Sequence, residues 1–575
     1  MILFLIPARG GSKGLPGKNL AQVCGMPLVG RCAWIARNAG RLIERPFRVV
    51  CSTDDAHIAQ AALDWGAEVP FVRPAALASD AAATADVVLH ALDQIAGIQT
   101  VVLMQPTSPL CDPIDVAAAV RLHSVSGDPV VSVCATEHPS EWTFAIDEAG
   151  RLTRSGGPQP PHQRQETRSM VRPNGAVYVS DVESFRQARS FYRPETRGTQ
   201  MPADRSIEID QALELDLIRG LVAQRAPAPV RIRERLVGPG APCFVIAEAG
   251  VNHNGDIATA LALIDAAAAA AADAVKFQTF RTEHLVTRDA KKAAYQVRNT
   301  GQAGSQFDML ARLELSFEAH RTLMEHCRRR GILFLSSPFD EDSIGALESL
   351  DLAALKLPSG ELTNLGFLRR AARSRRPLIL STGMADMIEV ADAVGAIRSE
   401  HADELVLLHC VSSYPAVAED ANLTAMTTLR EAFGVPVGFS DHTLGAVVPL
   451  AAVALGASVI EKHLTLDCNL PGPDHRASLE PAAFRDMVLQ IRAVEAALGS
   501  GRKVPAASET AVASAARKSV VAVCDIAAGA SLEPHMLAVR RPGTGLRPSQ
   551  LDGLIGRIAA VDIPSGTPLT HEMLA

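Results

Sequence analysis

No two cysteines in the chain stand in CxxC spacing. The ten that occur are scattered from Cys24 to Cys524, which argues against a zinc ribbon or a disulfide framework and predicts free, mostly buried thiols. Positive charge is not in excess either. Against 63 Asp and Glu stand 56 Lys and Arg, a net charge of −7, so bulk charge gives no sign of nucleic acid, and any anionic substrate must be met by local cationic clusters. An unbroken apolar run is also missing: the Ala-rich stretch 258–275 is interrupted by Asp265 and Asp273 and reads as a buried or amphipathic helix. The opening Met-Ile-Leu-Phe-Leu-Ile has no basic flank and runs into Pro7, Arg9 and two glycines, unlike a signal peptide. Together these absences predict a cytoplasmic protein. At 575 residues the chain is about three to four times a typical domain, so several cores are expected.

Composition shifts divide the chain. Residues 1–225 alternate β-like runs (2–8, 47–52, 100–104, 129–135) with Ala-rich helical stretches, the pattern of a mostly parallel α/β sheet. A segment rich in Pro, Gly and charge follows, and 226–240 reads as a linker. From Phe244 come eight short apolar runs, at 244–249, 274–280, 332–337, 354–359, 378–382, 405–411, 436–440 and 458–463. Eight such units over roughly 250 residues predict a (β/α)₈ barrel, here 241–500. Nearly every run ends in polar residues, as the catalytic face of a barrel does. One connection is long: 281–315 is polar and glycine-rich and reads as a lid or substrate loop. In the tail, 515–575, Asp525, Ile526, Gly529, Leu532, Met536 and Leu537 recur 37 residues later as Asp562, Ile563, Gly566, Leu569, Met573 and Leu574. Two copies predict a small β-rich module with a pseudo-two-fold.

The first candidate site opens after the first strand with PARGGSKGLPGKN at 7–19. Its glycines let backbone N–H groups approach phosphate, and Arg9, Lys13 and Lys18 supply charge. It is not a Walker A loop, having Ser12 and Asn19 where that motif needs Gly and Ser or Thr. Further on, Glu208 and Asp210 lie on one side of an extended segment. Such a pair suits Mg²⁺, and equally a solvated strand face. With STDD, RPAALASD, QPTSP, RQE, RPNGA and SIEID following in order, the first 220 or so residues resemble the acylneuraminate cytidylyltransferase (CMP-sialic acid synthetase) family. The resemblance implies attack by the anomeric hydroxyl of a nine-carbon α-keto acid on the α-phosphate of CTP, releasing pyrophosphate. It places the triphosphate on Arg9, Lys13 and the catalytic Lys18, the acid or nucleotide on Gln105, Arg164, Arg172 and Asn174, and Mg²⁺ on Glu208 and Asp210. Glu208 stands where the family usually has Asp, and Cys111 where it usually has Arg.

The second site gathers at the predicted barrel mouth. His442 and His463 end neighbouring strands, where both imidazoles can face one divalent metal of Mn²⁺ or Zn²⁺ type, with Glu248 beside them. Lys276 and Lys356 at strand ends read as anion ligands, because an unpaired buried ammonium is costly. Ser359, Ser381, Ser412 and Ser440 add short donors for phosphate and carboxylate. The motifs IAEAGVNHNG, VKFQTF, LKLPSGE, LSTGM, HCVSSYP, GFSDHT, IEKHLTLD and LPGPDHRASLEP make this segment resemble the sialic acid synthase family. That resemblance implies condensation of phosphoenolpyruvate with an open-chain mannosamine derivative. Lys276, Ser337, Lys356, Ser359, Ser381, Ser412 and Ser440 would hold phosphoenolpyruvate; Gln278, Glu361, Tyr414 and Asp474 would hold the sugar. The catalytic set would be Glu248, His442 and His463. Ser337 and Ser412 stand where some members carry Thr and Asn. The tail resembles the antifreeze-like (SAF) module of such synthases, which implies that Arg541 reaches the sugar of a partner subunit in a domain-swapped homodimer.

The chain therefore reads as a bifunctional enzyme that makes a sialic-acid-like nonulosonate and activates it as the CMP-sugar. N-acetylmannosamine and the bis-acetamido trideoxy precursor of legionaminic acid both remain open as the sugar. An octulosonate enzyme is disfavoured by the NHNG, SSYP and SDHT motifs. A non-catalytic sugar-binding or ice-binding protein would leave Glu248, Lys276, Lys356, His442 and His463 without purpose.

Overall fold

The computed structural model of the protein describes residues 1–136, 143–154, 170–300, 304–400, 402 and 404–575. Its first strand, Ile2–Pro7 (β1), is apolar on both faces and buried from Ile2 to Ile6, as the centre of a helix-covered parallel sheet requires. Phe47–Ser52 (β2) and Thr100–Met104 (β3) pair with it in parallel. Val130–Ala135 (β4), Val171–Asp181 (β5) and Arg197–Gln200 (β6) complete the order β6-β4-β5-β3-β1-β2. Only β5 runs against the rest, so the mostly parallel reading holds. The loops after β1 and β3, which carry Arg9, Lys18 and Gln105, thus leave from strand C-terminal ends, where open α/β sheets bind ligands.

The stretch 226–240, read as a linker, contains a hairpin of Val230–Ile232 (β7) and Arg235–Val237 (β8). Its Val230, Ile232 and Val237 pack into one cluster with Phe244, Ile246, Leu335, Ile379 and Val406. Alternation of apolar residues with arginine makes this segment a one-sided plug for the barrel floor; the high charge and proline content concealed it.

All eight apolar runs form strands: Phe244–Gly250 (β9), Ala274–Thr279 (β10), Leu333–Pro338 (β11), Leu355–Leu357 (β12), Leu378–Ser381 (β13), Leu405–Cys410 (β14), Val437–Asp441 (β15) and Val459–His463 (β16). They pair in parallel in the order β11-β10-β9-β16-β15-β14-β13-β12, a nearly closed (β/α)₈ barrel. Register does the work of assembling the mouth. Glu248 sits level with both Lys276 and His463, and Ser440 level with Glu461. Gly438 is needed where β15 meets β16, since a Cβ there would lie 2.4 Å from the Val459 carbonyl oxygen. Gly438→Ala is expected to cost about 1–3 kcal/mol through overpacking, measured as a lower thermal midpoint; an unchanged midpoint would show that the strands can separate freely.

Residues 1–497 form one compact unit and 498–575 a second. Within the first, helix Leu28–Ile43 (α1) of the N-terminal domain docks on barrel helices Met387–Arg398 (α2) and Ala425–Phe433 (α3). The Trp34 indole donates to the Ala391 carbonyl (3.1 Å), and Arg37 pairs with Asp392 at 3.0 Å. In the second unit the repeat becomes a hydrogen-bonded pseudo-two-fold. Asp525 accepts from the Ser565 N–H and Asp562 from the Ala528 N–H, each at 2.7 Å, while Ile526 and Ile563 exchange both backbone bonds. Gly529 and Gly566 turn at φ 81° and 86°, a left-handed geometry that favours glycine. Eight of the ten cysteines are buried. Among the described residues no helix is long and apolar enough to cross a membrane.

Candidate active sites

Two ammoniums and two carboxylates share the buried floor of the barrel mouth. Lys276 contacts Glu248 directly, lies 3.7 Å from Glu461 and donates to Ser337 Oγ at 3.2 Å. Lys356 is 3.3 Å from Glu461, whose same oxygen accepts from Ser440 Oγ at 3.0 Å. Burying charge is tolerable only when it is paired in this way. The two acids differ as a result. Burial pushes Glu248 up to about 7, with Lys276 opposing and Glu461 assisting. Burial also opposes ionisation of Glu461, but Lys276 and Lys356 together outweigh it and hold that carboxyl below its usual value. Glu248 is thus a proton-exchanging group near neutrality, and Glu461 a fixed negative charge.

Beside this floor, the His442 and His463 rings lie 5.3 Å apart, and the Tyr414 ring packs 4.2 Å from His442. The His442 Nδ1–H donates to the Val411 carbonyl at 2.8 Å, which leaves its Nε2 lone pair available. His463 Nδ1 is buried without a partner, and burial, with His442 next, holds this ring well below its ordinary pKa. Two imidazoles with unused lone pairs, beside acids, fit a divalent cation by donor chemistry. Asp474 is buried too, its carboxyl pushed up to about 6 by burial against the pull of His442.

Ser359, Cys410 and Ser412 converge on Gly383. A Cβ there would lie 2.3 Å from Ser412 Oγ, 2.9 Å from Ser359 Oγ and 3.1 Å from Cys410 Sγ, and the Gly383 N–H donates to Ser359 Oγ at 3.0 Å. With Ser381 Oγ buried and unpartnered, this is a cradle of short donors suited to an oxyanion. Gln278 donates to Glu248 at 3.5 Å. Glu361 departs from the group: it accepts from Asn364 and lines a separate cavity of about 360 Å³ with His284, Phe339 and Asp342. The described part of the connection 281–315 contains helices Thr282–Leu285, Ala294–Thr300 and Gln306–Ala311. Tyr295 from it stacks on Tyr414, ring centres 5.0 Å apart, as a lid residue would. Arg541 is exposed on the C-terminal unit.

In the N-terminal domain, Arg9 and Lys13 both grip Asp80 at 2.6 Å. Lys18 Nζ donates to the Ile209 carbonyl at 3.0 Å and to Asp210 at 3.2 Å. Arg9, Lys18, Asp80 and Gln105 border a cavity of about 310 Å³. Burial raises the Glu208 pKa and Asp210 raises it further, while Thr107 Oγ1 donates to it at 3.3 Å. A carboxyl strained by its neighbour's charge is where a divalent cation lowers the energy. Gly175, at φ 71°, leaves room for it, since a Cβ would meet Glu208 Oε1 at 2.6 Å. Arg172 is exposed and lowers the Glu208 pKa at long range. Asn174 departs from the expected ligand role: it is fully buried, its amide committed to Ser132 (2.6 Å) and Ser206 (2.9 Å), so it positions the strand. Arg164 lies outside the described residues.

Sequence reasoning assigned no site role to Glu461, Gly383, Cys410, Tyr295 or Asp80. Glu461 had a signal, as a carboxylate two residues before His463 on a strand that must also bury lysine charge. Asp80 stood in the RPAALASD motif. The others become visible only through cross-strand register and packing.

Comparison with known proteins follows this division. The NeuB family model matches residues 263–503, a cytidylyltransferase model residues 3–154 and a SAF domain model residues 517–575. An N,N'-diacetyllegionaminic acid synthase of Legionella pneumophila is 46% identical over 339 residues, covering 58% of this chain and 95% of that protein. The protein of the same name from Campylobacter jejuni is 45% identical over 318 residues, 55% of this chain and 95% of its own. Mouse N-acetylneuraminate-9-phosphate synthase is 35% identical over 341 residues, 59% of this chain and 94% of its own.

Proposed function

The chain belongs to the NeuB family, and from that premise we propose the substrates and residue roles of its two reactions. It is a bifunctional enzyme: the barrel synthesises a sialic-type acid and the N-terminal domain activates that acid as its CMP-sugar. Phosphoenolpyruvate, CTP and a sugar are the substrates these domains imply, and both domain families use divalent metals.

The sugar we assign is the bis-acetamido trideoxy precursor of legionaminic acid. The observation that carries this is the 46% and 45% identity to two legionaminic acid synthases, against 35% to an N-acetylneuraminate-9-phosphate synthase. In the barrel, Lys276, Lys356 and the serine cradle around Gly383 hold phosphoenolpyruvate, and Gln278, Tyr414 and Asp474 face the sugar. C3 of phosphoenolpyruvate attacks the sugar aldehyde, water adds at C2 with Glu248 taking its proton, and phosphate leaves. His442 and His463 would hold Mn²⁺, which supplies Lewis-acid polarisation of the aldehyde when bound. In the N-terminal domain Glu208 and Asp210 would hold Mg²⁺, and Arg9, Lys13 and Lys18 the triphosphate. Arg541 serves a partner's barrel in a domain-swapped homodimer, and the protein works in the cytoplasm.

A ³¹P NMR time course with phosphoenolpyruvate, CTP, Mn²⁺ and Mg²⁺ tests this reading. Phosphate, pyrophosphate and a CMP-sugar signal are expected together with the bis-acetamido sugar, at least about tenfold faster than with N-acetylmannosamine, a discrimination of about 1.4 kcal/mol. Equal rates, or a preference for N-acetylmannosamine, would overturn the sugar assignment. Phosphate without pyrophosphate would overturn the pairing of the two steps.

A further inference from the structure

Where α1 docks on the barrel, the seam is not closed throughout. It encloses a cavity of about 540 Å³ lined by six arginines: Arg31, Arg121, Arg205 and Arg225 from the N-terminal domain, Arg398 and Arg430 from the barrel. The carboxylates on its wall are only Asp112 and Glu431. Arg205 is paired with Asp115 and Arg225 with Asp204, whereas Arg31, Arg121 and Arg430 have no carboxylate within ion-pair distance among the described residues, so an anion entering the cavity would offset their charge.

Two of the arginines carry donors that the protein leaves unused. Arg31 is 9% exposed, and its guanidinium bonds only the Pro109 carbonyl and the Met26 sulfur; among the described residues no carboxylate comes within ion-pair distance of it. Arg205 pairs with Asp115 at 2.7 Å through Nη2, yet its Nε is buried without a partner. Burial holds the Arg31 pKa below its ordinary value, with Cys24 and Asp112 opposing it and Arg225 adding to it. The remaining wall is apolar and aromatic, with Trp34 and Phe433 edge to face at 6.2 Å and Leu42, Leu110 and Val222 around them.

We propose that the seam cavity is a binding site for a nucleoside phosphate, separate from the CTP pocket. Its volume falls in the range of about 300–1,000 Å³ usual for small-molecule sites. Guanidiniums recognise phosphate in bidentate fashion. Asp112 and Glu431 can accept from ribose hydroxyls or a base amino group, and the apolar wall takes the base. The site is also placed to sense both reactions. Arg31 bonds the carbonyl of Pro109, the last residue of the QPTSP segment that begins at Gln105. On the other side, α2 follows β13 and the Gly383 cradle, and α3 follows β14.

Titration calorimetry of the full chain with CMP tests the proposal, the seam cavity being told from the CTP pocket by substitutions of arginines that line only the seam. CMP is expected to bind, and Arg225→Gln/Arg430→Gln to weaken it by about tenfold or more, the loss of charge-assisted hydrogen bonds. CTP turnover by the same variant is expected to remain within about twofold of wild type, which also reports that it folds. Should the double variant not fold, Arg430→Gln alone carries the same comparison. No CMP binding, or binding unchanged by the arginine substitutions, overturns the proposal. Turnover falling in step with CMP affinity also overturns it, because the arginines would then serve the catalytic pocket. Inorganic phosphate displacing CMP at equal concentration overturns the nucleoside part.

Discussion

Glu248→Gln is expected to lower phosphate release from phosphoenolpyruvate and sugar by about 10²–10⁴-fold, the usual contribution of a general acid or base, while pyrophosphate release from CTP and supplied acid stays unchanged. The substitution keeps the shape of a side chain that is 2% exposed and removes only its charge and its titration. Lys276 then loses its direct partner, but Glu461 at 3.7 Å still offsets it, so the loss should fall on the proton-transfer step more than on the fold. The pH profile separates this from a structural role. With Glu248 pushed up to about 7 by burial, the fraction present as carboxylate grows as pH rises through 7. A base acting on water needs the carboxylate, so wild-type kcat/KM for the synthase reaction should rise across that interval, and the limb should vanish in Glu248→Gln. A rate that falls through pH 7 would instead assign Glu248 as an acid, and an unaltered rate would remove it from the chemistry. The second reaction, measured on the same sample, guards against misfolding.

What the sequence disclosed and what it hid divide along physical lines. Barrel strands are short apolar runs flanked by polar ends, a pattern set by burial on both faces, and all eight were legible from 244–249 onward. Residues whose chemistry is costly to bury without purpose, such as Lys276, Lys356 and His463, were legible for the same reason. The hairpin of β7 and β8 was not, because its apolar face is only three residues wide and lies among arginines that hydropathy reads as exposed. The surroundings of Asn174 were not legible, because an amide looks the same in sequence whether it faces substrate or, as here, pins Ser132 to Ser206. Gly383 and Cys410 belong to the cradle only through the juxtaposition of β13 and β14. The seam between the domains was invisible for a similar reason, since Arg31 and Arg430 are some 400 residues apart in the chain.

Lys18→Ala is expected to reverse the pattern of Glu248→Gln, lowering pyrophosphate release by about 10²–10³-fold, the cost of removing one preorganised donor from developing negative charge, with phosphate release unaffected. Lys18 is held ready by the Ile209 carbonyl and Asp210, both on the segment that also carries Glu208. The ammonium and the carboxylate pair are therefore positioned by one short segment, 208–210, and a triphosphate entering between them would draw Lys18 away from Asp210 and free that carboxylate for the cation. Two consequences distinguish this from simple loss of affinity. In a coupled reaction with all substrates, the variant should accumulate free acid at the wild-type rate and almost no CMP-sugar. Lys18→Arg should restore little, because the planar fork is larger than the compact ammonium and cannot donate to the Ile209 carbonyl and a phosphate from one point. If Lys18→Ala instead raises KM for CTP at unchanged kcat, the residue contributes uniform binding and the charge-stabilising role passes to Arg9 or Lys13, whose present grip on Asp80 would then be the contact that substrate breaks.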